Sequence, residues 1–177
     1  MVKRAISTGI KANYILMDSW FCFPVILATL GQHLPVICMA KDMKTVLYQH
    51  NGQWVRLGRL YSLLRKKPGK AKILTSVVVE TKQGQEVKIV FVRNRNKKRQ
   101  WLAIISTDTS LANDDIVRVY GKRWDIEVFF KMMKHYLNLE RETQLRDYDG
   151  MVAHITIAMS RYIFLSFEQR NHDDPRT

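Results

Sequence analysis

The first forty residues alternate short apolar runs with turn signals. One apolar run covers residues 14–17 and ends at Asp18, a second covers 23–30 and stops at Gly31, and a third covers 34–40. These lengths and boundaries predict a strand, a helix and a second strand. This order with short links is typical of a crossover between parallel strands. Asp18 is therefore expected at the carboxyl end of a strand, where open α/β sheets carry their sites.

From residue 41 to 106 the pattern changes to alternating apolar and polar positions broken by turns rich in Gly and Lys. The Asn-Gly pair at 51–52 favours a hairpin, so an antiparallel, β-rich insertion is predicted. The spacing then becomes helical through about Asn138, and residues 150–168 predict another helix. The predicted division is a partial core over 1–40, the insertion over 41–106, C-terminal core helices over 107–170 and a tail over 171–177.

Four polar side chains recur at helical spacing near residue 127. At about 100° per residue they fall within an arc of roughly 60° on a continuous helix, beside an apolar arc that can pack into a core. One face would then present a carboxylate, two cations and a phenol, from Tyr120, Arg123, Glu127 and Lys134. The alternative is a solvated helix in which Arg123 pairs with Glu127 at i,i+4. The shared polar face and the Arg123–Glu127 ion pair can both exist when no DNA is bound.

The chain of 177 residues carries 29 Lys and Arg against 16 Asp and Glu, a formal net charge of +13. This charge favours a polyanionic partner through counterion release and long-range steering, and nucleic acid is the predicted one. Basic clusters at 65–72 and 93–99 fit a surface for the DNA backbone. An anionic membrane is the rival partner, but the basic residues do not line an amphipathic helix. The apolar run at 151–167 is shorter than a span of about 20 residues, so no membrane crossing is predicted.

The two cysteines, Cys22 and Cys38, stand in apolar surroundings without the spacing of a zinc site or a disulfide framework. Reduced thiols fit a cytoplasmic protein, and association with the nucleoid would follow from DNA binding. No phosphate-binding glycine loop occurs, so nucleotide hydrolysis is not indicated.

Two segments together resemble a known family. The spacing Y-x2-R-x3-E-x6-K over 120–134 is similar to the Y-R-E-K signature of DDE transposases from bacterial insertion sequences, in the group called the IS-four family. The segment Asp18-Ser-Trp-Phe21 resembles the strand end that carries their second catalytic Asp. The resemblance covers about residues 9–136. It implies an α/β fold, with a ribonuclease-H-like mixed sheet, flanking helices and a β-rich insertion between the second and third catalytic acids.

The resemblance implies roles for individual residues. Asp18 and Glu127 would be catalytic and would hold Mg²⁺ or Mn²⁺, because phosphoryl transfer on DNA uses divalent metals held by carboxylate oxygens. Double-stranded DNA, at transposon ends and target sites, would be cut by activated water and joined through the released 3′ hydroxyl. A homodimer on DNA is expected. The residues expected to contact DNA are Tyr120, Arg123, Trp124 and Lys134.

The resemblance also predicts that one element is missing. Family members carry a first catalytic Asp on an earlier strand, whereas residues 1–17 contain neither Asp nor Glu. The chain is therefore expected to be the C-terminal part of a transposase catalytic domain, incomplete at its N terminus, that binds DNA without cutting it. The alternatives are a non-catalytic DNA-binding remnant of a transposase and a nuclease that takes its missing acid from another chain.

Overall fold

The computed structural model describes residues 2–68, 71–94, 97, 100–139 and 147–171. The strands in these ranges are β1 (Ile15–Met17), β2 (Val36–Ala40), β3 (Tyr48–His50), β4 (Gln53–Val55), β5 (Ile73–Thr81), β6 (Glu86–Arg93) and β7 (Trp101–Ser106). The helices are α1 (Val2–Ser7), α2 (Pro24–Gly31), α3 (Leu57–Leu63), α4 (Asn113–Gly121), α5 (Trp124–His135) and α6 (Tyr148–Asn171), with a short 3-10 helix at Ser19–Phe21.

All seven strands join one sheet in the order β1-β2-β7-β6-β5-β3-β4. β1 and β2 are parallel, with Met17 opposite Cys38, which confirms the predicted crossover through α2. The other neighbouring pairs are antiparallel. The predicted α/β class, a ribonuclease-H-like mixed sheet with flanking helices, is confirmed.

Strands from the segment predicted as an insertion continue the sheet that β1 begins. β7 lies between β2 and β6, and Ile37 on β2 faces Ser106 on β7. The division of the chain at residues 40, 106 and 170 stays a prediction. By compactness the chain forms two units, one up to Arg123 with the sheet and α1 to α4, and one from Trp124 with α5 and α6.

Alternate residues of the central strands point to opposite faces of the sheet, as the strand period requires. One face packs with Leu27 of α2 and Leu60 of α3. The opposite face packs with Ile116 and Tyr120 of α4. Helices therefore cover the sheet on both faces. Tyr120 lies on the face that α4 covers.

α3 was not expected from the sequence, where residues 41–106 were predicted to be β-rich. Leu57 and Leu60 are buried three residues apart, which is helical and not strand spacing. The preceding strand, β4, ends at Val55. The three-residue spacing of the leucines is the signal that could have shown the helix.

The prediction of a continuous helix from 107 to about 138 is wrong. α4 ends at Gly121, and the backbone N–H groups of Lys122 and Arg123 donate to carbonyls only three residues earlier, at 3.1 and 3.0 Å. Glycine inside a helix costs about 1 kcal/mol relative to Ala, which favours a break here. The count of 100° per residue does not carry across this junction, so the single face from Tyr120 to Lys134 is not established.

The second unit has a small core of its own. Met133 and Leu137 near α5 pack with Ala158 of α6, and the Phe129 and Tyr162 rings meet edge to face with centroids 4.8 Å apart. α6 has 24 residues, longer than the predicted apolar run, and only 6% of its most apolar stretch is buried. By length and composition alone this helix could cross a membrane, a test that helices of soluble proteins also pass.

Candidate functional site

Asp18 lies where the sequence predicted, directly after β1. It caps the 3-10 helix that follows, because its Oδ1 accepts a hydrogen bond from the backbone N–H of Ser19. The side chain is half-buried, and its Oδ2 accepts no hydrogen bond from a described residue. One carboxylate oxygen is thus used to fix the side chain, and the other remains for a ligand.

Tyr120 brings a phenol to the neighbourhood of Asp18. The residue is buried, and its hydroxyl has no hydrogen-bond partner of good geometry among the described residues. Burial raises the pKa of Tyr120, the Arg123 guanidinium opposes this rise, and the Asp18 carboxylate adds to it. A buried hydroxyl without a good hydrogen bond costs stability.

Hydrogen bonds from the sheet fix the start of α4 and thereby the position of Tyr120. Lys88 on β6 donates to the backbone carbonyls of Leu111 at 2.6 Å and Thr109 at 3.3 Å. The Asn113 amide donates to the Ser76 hydroxyl on β5 at 2.9 Å. These contacts anchor the loop before α4 to two strands, so the phenol is held by a rigid scaffold.

Arg123 completes the group that the first unit assembles. Its guanidinium carbon lies 5.9 Å from the centroid of the Tyr120 ring, within the range of a cation–π contact. Of the six residues predicted from the sequence, the structure brings together three in one unit: Asp18, Tyr120 and Arg123. The group combines a carboxylate, a phenol and a cation at the carboxyl end of β1.

An exposed aromatic beside Asp18 belongs to the same edge of the sheet. Trp20 is 72% exposed, and the Lys41 ammonium lies 4.1 Å from the centre of its ring. Lys41 follows β2 directly, and parallel strands place their carboxyl ends at one edge, which explains the contact. Neither Trp20 nor Lys41 was predicted from the sequence to contribute to the site. The signal was a Trp after a strand-end acid together with a Lys after the next parallel strand.

The remaining predicted residues, Trp124, Glu127 and Lys134, lie on α5 in the second unit. Glu127 and Lys134 are seven residues apart, nearly two helical turns, so they share one side of α5. Trp124 is 63% exposed. Glu127 and Trp124 also line a cavity of about 520 Å³ with Lys131 and Tyr136. The distance from Glu127 to Asp18 stays a prediction.

Of the residues predicted to hold metal, Asp18 lies in the first unit and Glu127 in the second. Within the described part of the chain, no three His, Cys, Asp or Glu side chains come together. Mg²⁺ commonly binds one or two carboxylates and fills its other positions with water and substrate phosphate oxygens. Asp18 is half-buried after β1 with one oxygen bound to Ser19, and Glu127 is exposed on α5.

The two predicted basic clusters meet at one end of β5 and β6. Arg93 donates from its side chain to the carbonyl of Ala71 at 3.3 Å and from its backbone to that of Lys72 at 2.9 Å. Lys66 lies 4.8 Å over the Tyr61 ring. Residues 69, 70, 95, 96, 98 and 99 lie outside the described part of the chain. The described contacts join the clusters into one basic surface.

Comparison with known proteins agrees with this geometry. A family model described as the transposase DDE domain matches residues 2–164, a stretch that includes Asp18, Tyr120, Arg123 and Glu127. A search of curated proteins gives no match. Domains of this family act on DNA and generally use divalent metal ions. The match spans most of the 177 residues, so the chain belongs to the transposase DDE domain family.

Proposed function

We propose that this chain acts in DNA transposition, with Asp18 and Glu127 as catalytic carboxylates that hold Mg²⁺ or Mn²⁺. The observation that carries the proposal is the group at the end of β1, where Asp18 keeps an unused carboxylate oxygen near the buried Tyr120 hydroxyl and Arg123. A buried phenol and a cation next to a metal-binding acid suit a DNA phosphate. The net charge of +13 favours the same ligand.

Each residue has a separate task in this proposal. When bound, divalent metal activates the attacking water or 3′ hydroxyl and offsets charge on the phosphate. Asp18 orients its free oxygen because Ser19 fixes the other one. Arg123 holds a phosphate through its planar fork, and Tyr120 donates its hydroxyl to the same phosphate. Lys134 and Trp124 extend the DNA contact along α5.

The finer assignment to the IS-four group rests on spacing. Tyr120, Arg123, Glu127 and Lys134 match the Y-R-E-K signature in order and interval. The match is one of sequence intervals, and it does not depend on whether α4 and α5 form one continuous helix. Assembly as a homodimer on DNA, and a place at the nucleoid in the cytoplasm, follow from the same assignment.

The metal site is tested by measuring Mn²⁺ binding by electron paramagnetic resonance with and without duplex DNA. DNA should tighten Mn²⁺ binding, because phosphate oxygens complete the coordination shell. Asp18→Asn and Glu127→Gln should each weaken binding in the presence of DNA by about 10-fold or more. Glu86→Gln, an exposed acid on β6, is the matched control and should change nothing.

If either site variant binds Mn²⁺ like the wild type, that residue is not a ligand. The same samples can be assayed for DNA strand cleavage. Metal-dependent strand cleavage by the wild type should disappear with Glu127→Gln if this carboxylate is catalytic.

Removing the Tyr120 hydroxyl tests whether this group serves DNA binding or folding. Tyr120→Phe should leave the melting temperature unchanged or raise it slightly, because a buried hydroxyl without a partner is removed. DNA affinity should fall by about 10-fold, the cost of one hydrogen bond to a charged phosphate. Calorimetry and fluorescence anisotropy measure the two effects.

Tyr14→Phe removes a hydroxyl near the opposite end of β1 and is the control for the Tyr120 experiment. A loss of stability without a loss of DNA affinity in Tyr120→Phe would mean that the hydroxyl serves the fold and not the ligand.

A further inference from the structure

The two cysteines of the chain lie in contact inside the first unit. Cys22 is 2% exposed and Cys38 is 0% exposed, and both are free thiols. The Cys38 thiol donates to the Cys22 sulfur at 2.8 Å, across 16 positions of sequence. The spacing of the two cysteines in the sequence does not indicate this contact. It arises because α2 lies between them and returns the chain to β2. The chain has no third cysteine to compete for either thiol.

The contact between the two thiols joins the central sheet to the segment that begins at Asp18. Cys38 lies in the middle of β2, opposite Met17 of β1. Cys22 ends the 3-10 helix that Asp18 caps. A covalent link between the sulfurs would therefore fasten the segment from Asp18 to Cys22 onto the central sheet.

We propose that Cys22 and Cys38 form a reversible disulfide that staples the Asp18 segment to β2 when the protein meets a low-molecular-weight disulfide such as glutathione disulfide. One thiolate attacks the glutathione disulfide and releases one glutathione. The second cysteine then attacks the mixed disulfide and releases the other. Two protein thiols lose two hydrogens in all, and two glutathione thiols form. The proposal does not depend on DNA binding or on metal.

The surroundings make the reaction slow and selective. The contact with Cys22 and burial both raise the pKa of Cys38, so its thiolate is scarce in the closed structure. Access needs a local opening, and the Asp18 segment is the part suited to open, since Trp20 and Phe21 are largely exposed and contribute little buried surface. Cys38 sits on a central strand paired on both sides and should stay in place.

The test uses the whole chain equilibrated with glutathione buffers of graded ratio, followed by acid quenching and intact mass measurement. The oxidised product should lack the mass of two hydrogens and carry no glutathione, and dithiothreitol should reverse the change. The same equilibrium in denaturant gives the reference. Folding should favour the disulfide by about 100-fold, because the native contact holds the thiols together.

Amide hydrogen exchange reports the predicted consequence. Oxidation should slow exchange at residues 19–23 and leave β5 and β6 unchanged. The melting temperature should rise by roughly 5–10 °C. Cys22→Ala and Cys38→Ala should each show neither effect and accept at most one glutathione.

Two results would contradict the proposed disulfide between Cys22 and Cys38. One is a glutathione-bearing folded protein in place of the internal disulfide. The other is an equilibrium no more favourable in the folded protein than in denaturant, a comparison that needs only the wild-type chain and holds even if a cysteine variant fails to fold.

Discussion

DNA affinity should fall by about 100-fold or more between roughly 50 and 200 mM salt. Each phosphate neutralised by the protein contributes about −0.9 to the log-log slope, so about four contacts suffice for this loss. Replacing Arg123 and Lys134 with Ala should flatten the slope by about 1.5–2, because two cations no longer displace counterions. Fluorescence anisotropy with a labelled duplex across a salt series measures both quantities.

A matched pair of substitutions controls for net charge. Arg59→Ala and Lys82→Ala also remove one Arg and one Lys, from α3 and from the turn between β5 and β6. The slope of this control should stay closer to that of the wild type. Equal flattening in both pairs would mean that the overall charge, and not the residues near Glu127, sets the affinity.

Phe91→Ala should destabilise the first unit by about 3–5 kcal/mol, the usual cost of emptying a buried Phe site. Phe91 is fully buried on β6, and its ring lies 5.0 Å from that of Tyr61 and 5.2 Å from that of Trp101, measured between centroids. A cavity there loses contacts with the helix α3 and with β7 at once. The melting temperature should fall by roughly 6–20 °C. Calorimetry and Trp fluorescence measure this change.

Val78→Ala is the control for this core substitution. Val78 lies on β5, the neighbouring strand, but its side chain is largely exposed, so the change should cost less than about 1 kcal/mol. If the two substitutions destabilise the protein equally, the aromatic group around Phe91 does not hold the sheet together.

Local patterns were sufficient for the start of the fold. The apolar run before Asp18, the stop at Gly31 and the short links fixed a strand, a helix and a parallel strand, all of which the structure contains. These features depend on neighbours a few residues away. The same holds for the hairpins in the middle of the chain, where turn residues mark each reversal.

Features that depend on distant partners were not predictable from one sequence. The placement of β7 between β2 and β6 is decided by packing among strands far apart in the chain. The approach of Tyr120 to Asp18 follows from that placement, whereas Cys22 meets Cys38 because α2 returns the chain to β2. The break at Gly121 was missed for another reason: a single glycine of small energetic cost was outweighed by an otherwise regular helical pattern.

The position of β7 also bears on how the protein is made. β5, β6 and β7 follow one another as antiparallel neighbours, so they can pair as they emerge from the ribosome. β2 must wait for residue 106 before its second neighbour exists, and Tyr120 comes later still. The 66 residues between 40 and 106 take roughly 3–13 s to translate. Through that interval the apolar strand β2 has one exposed edge, and a slower ribosome would lengthen the time in which this edge can aggregate.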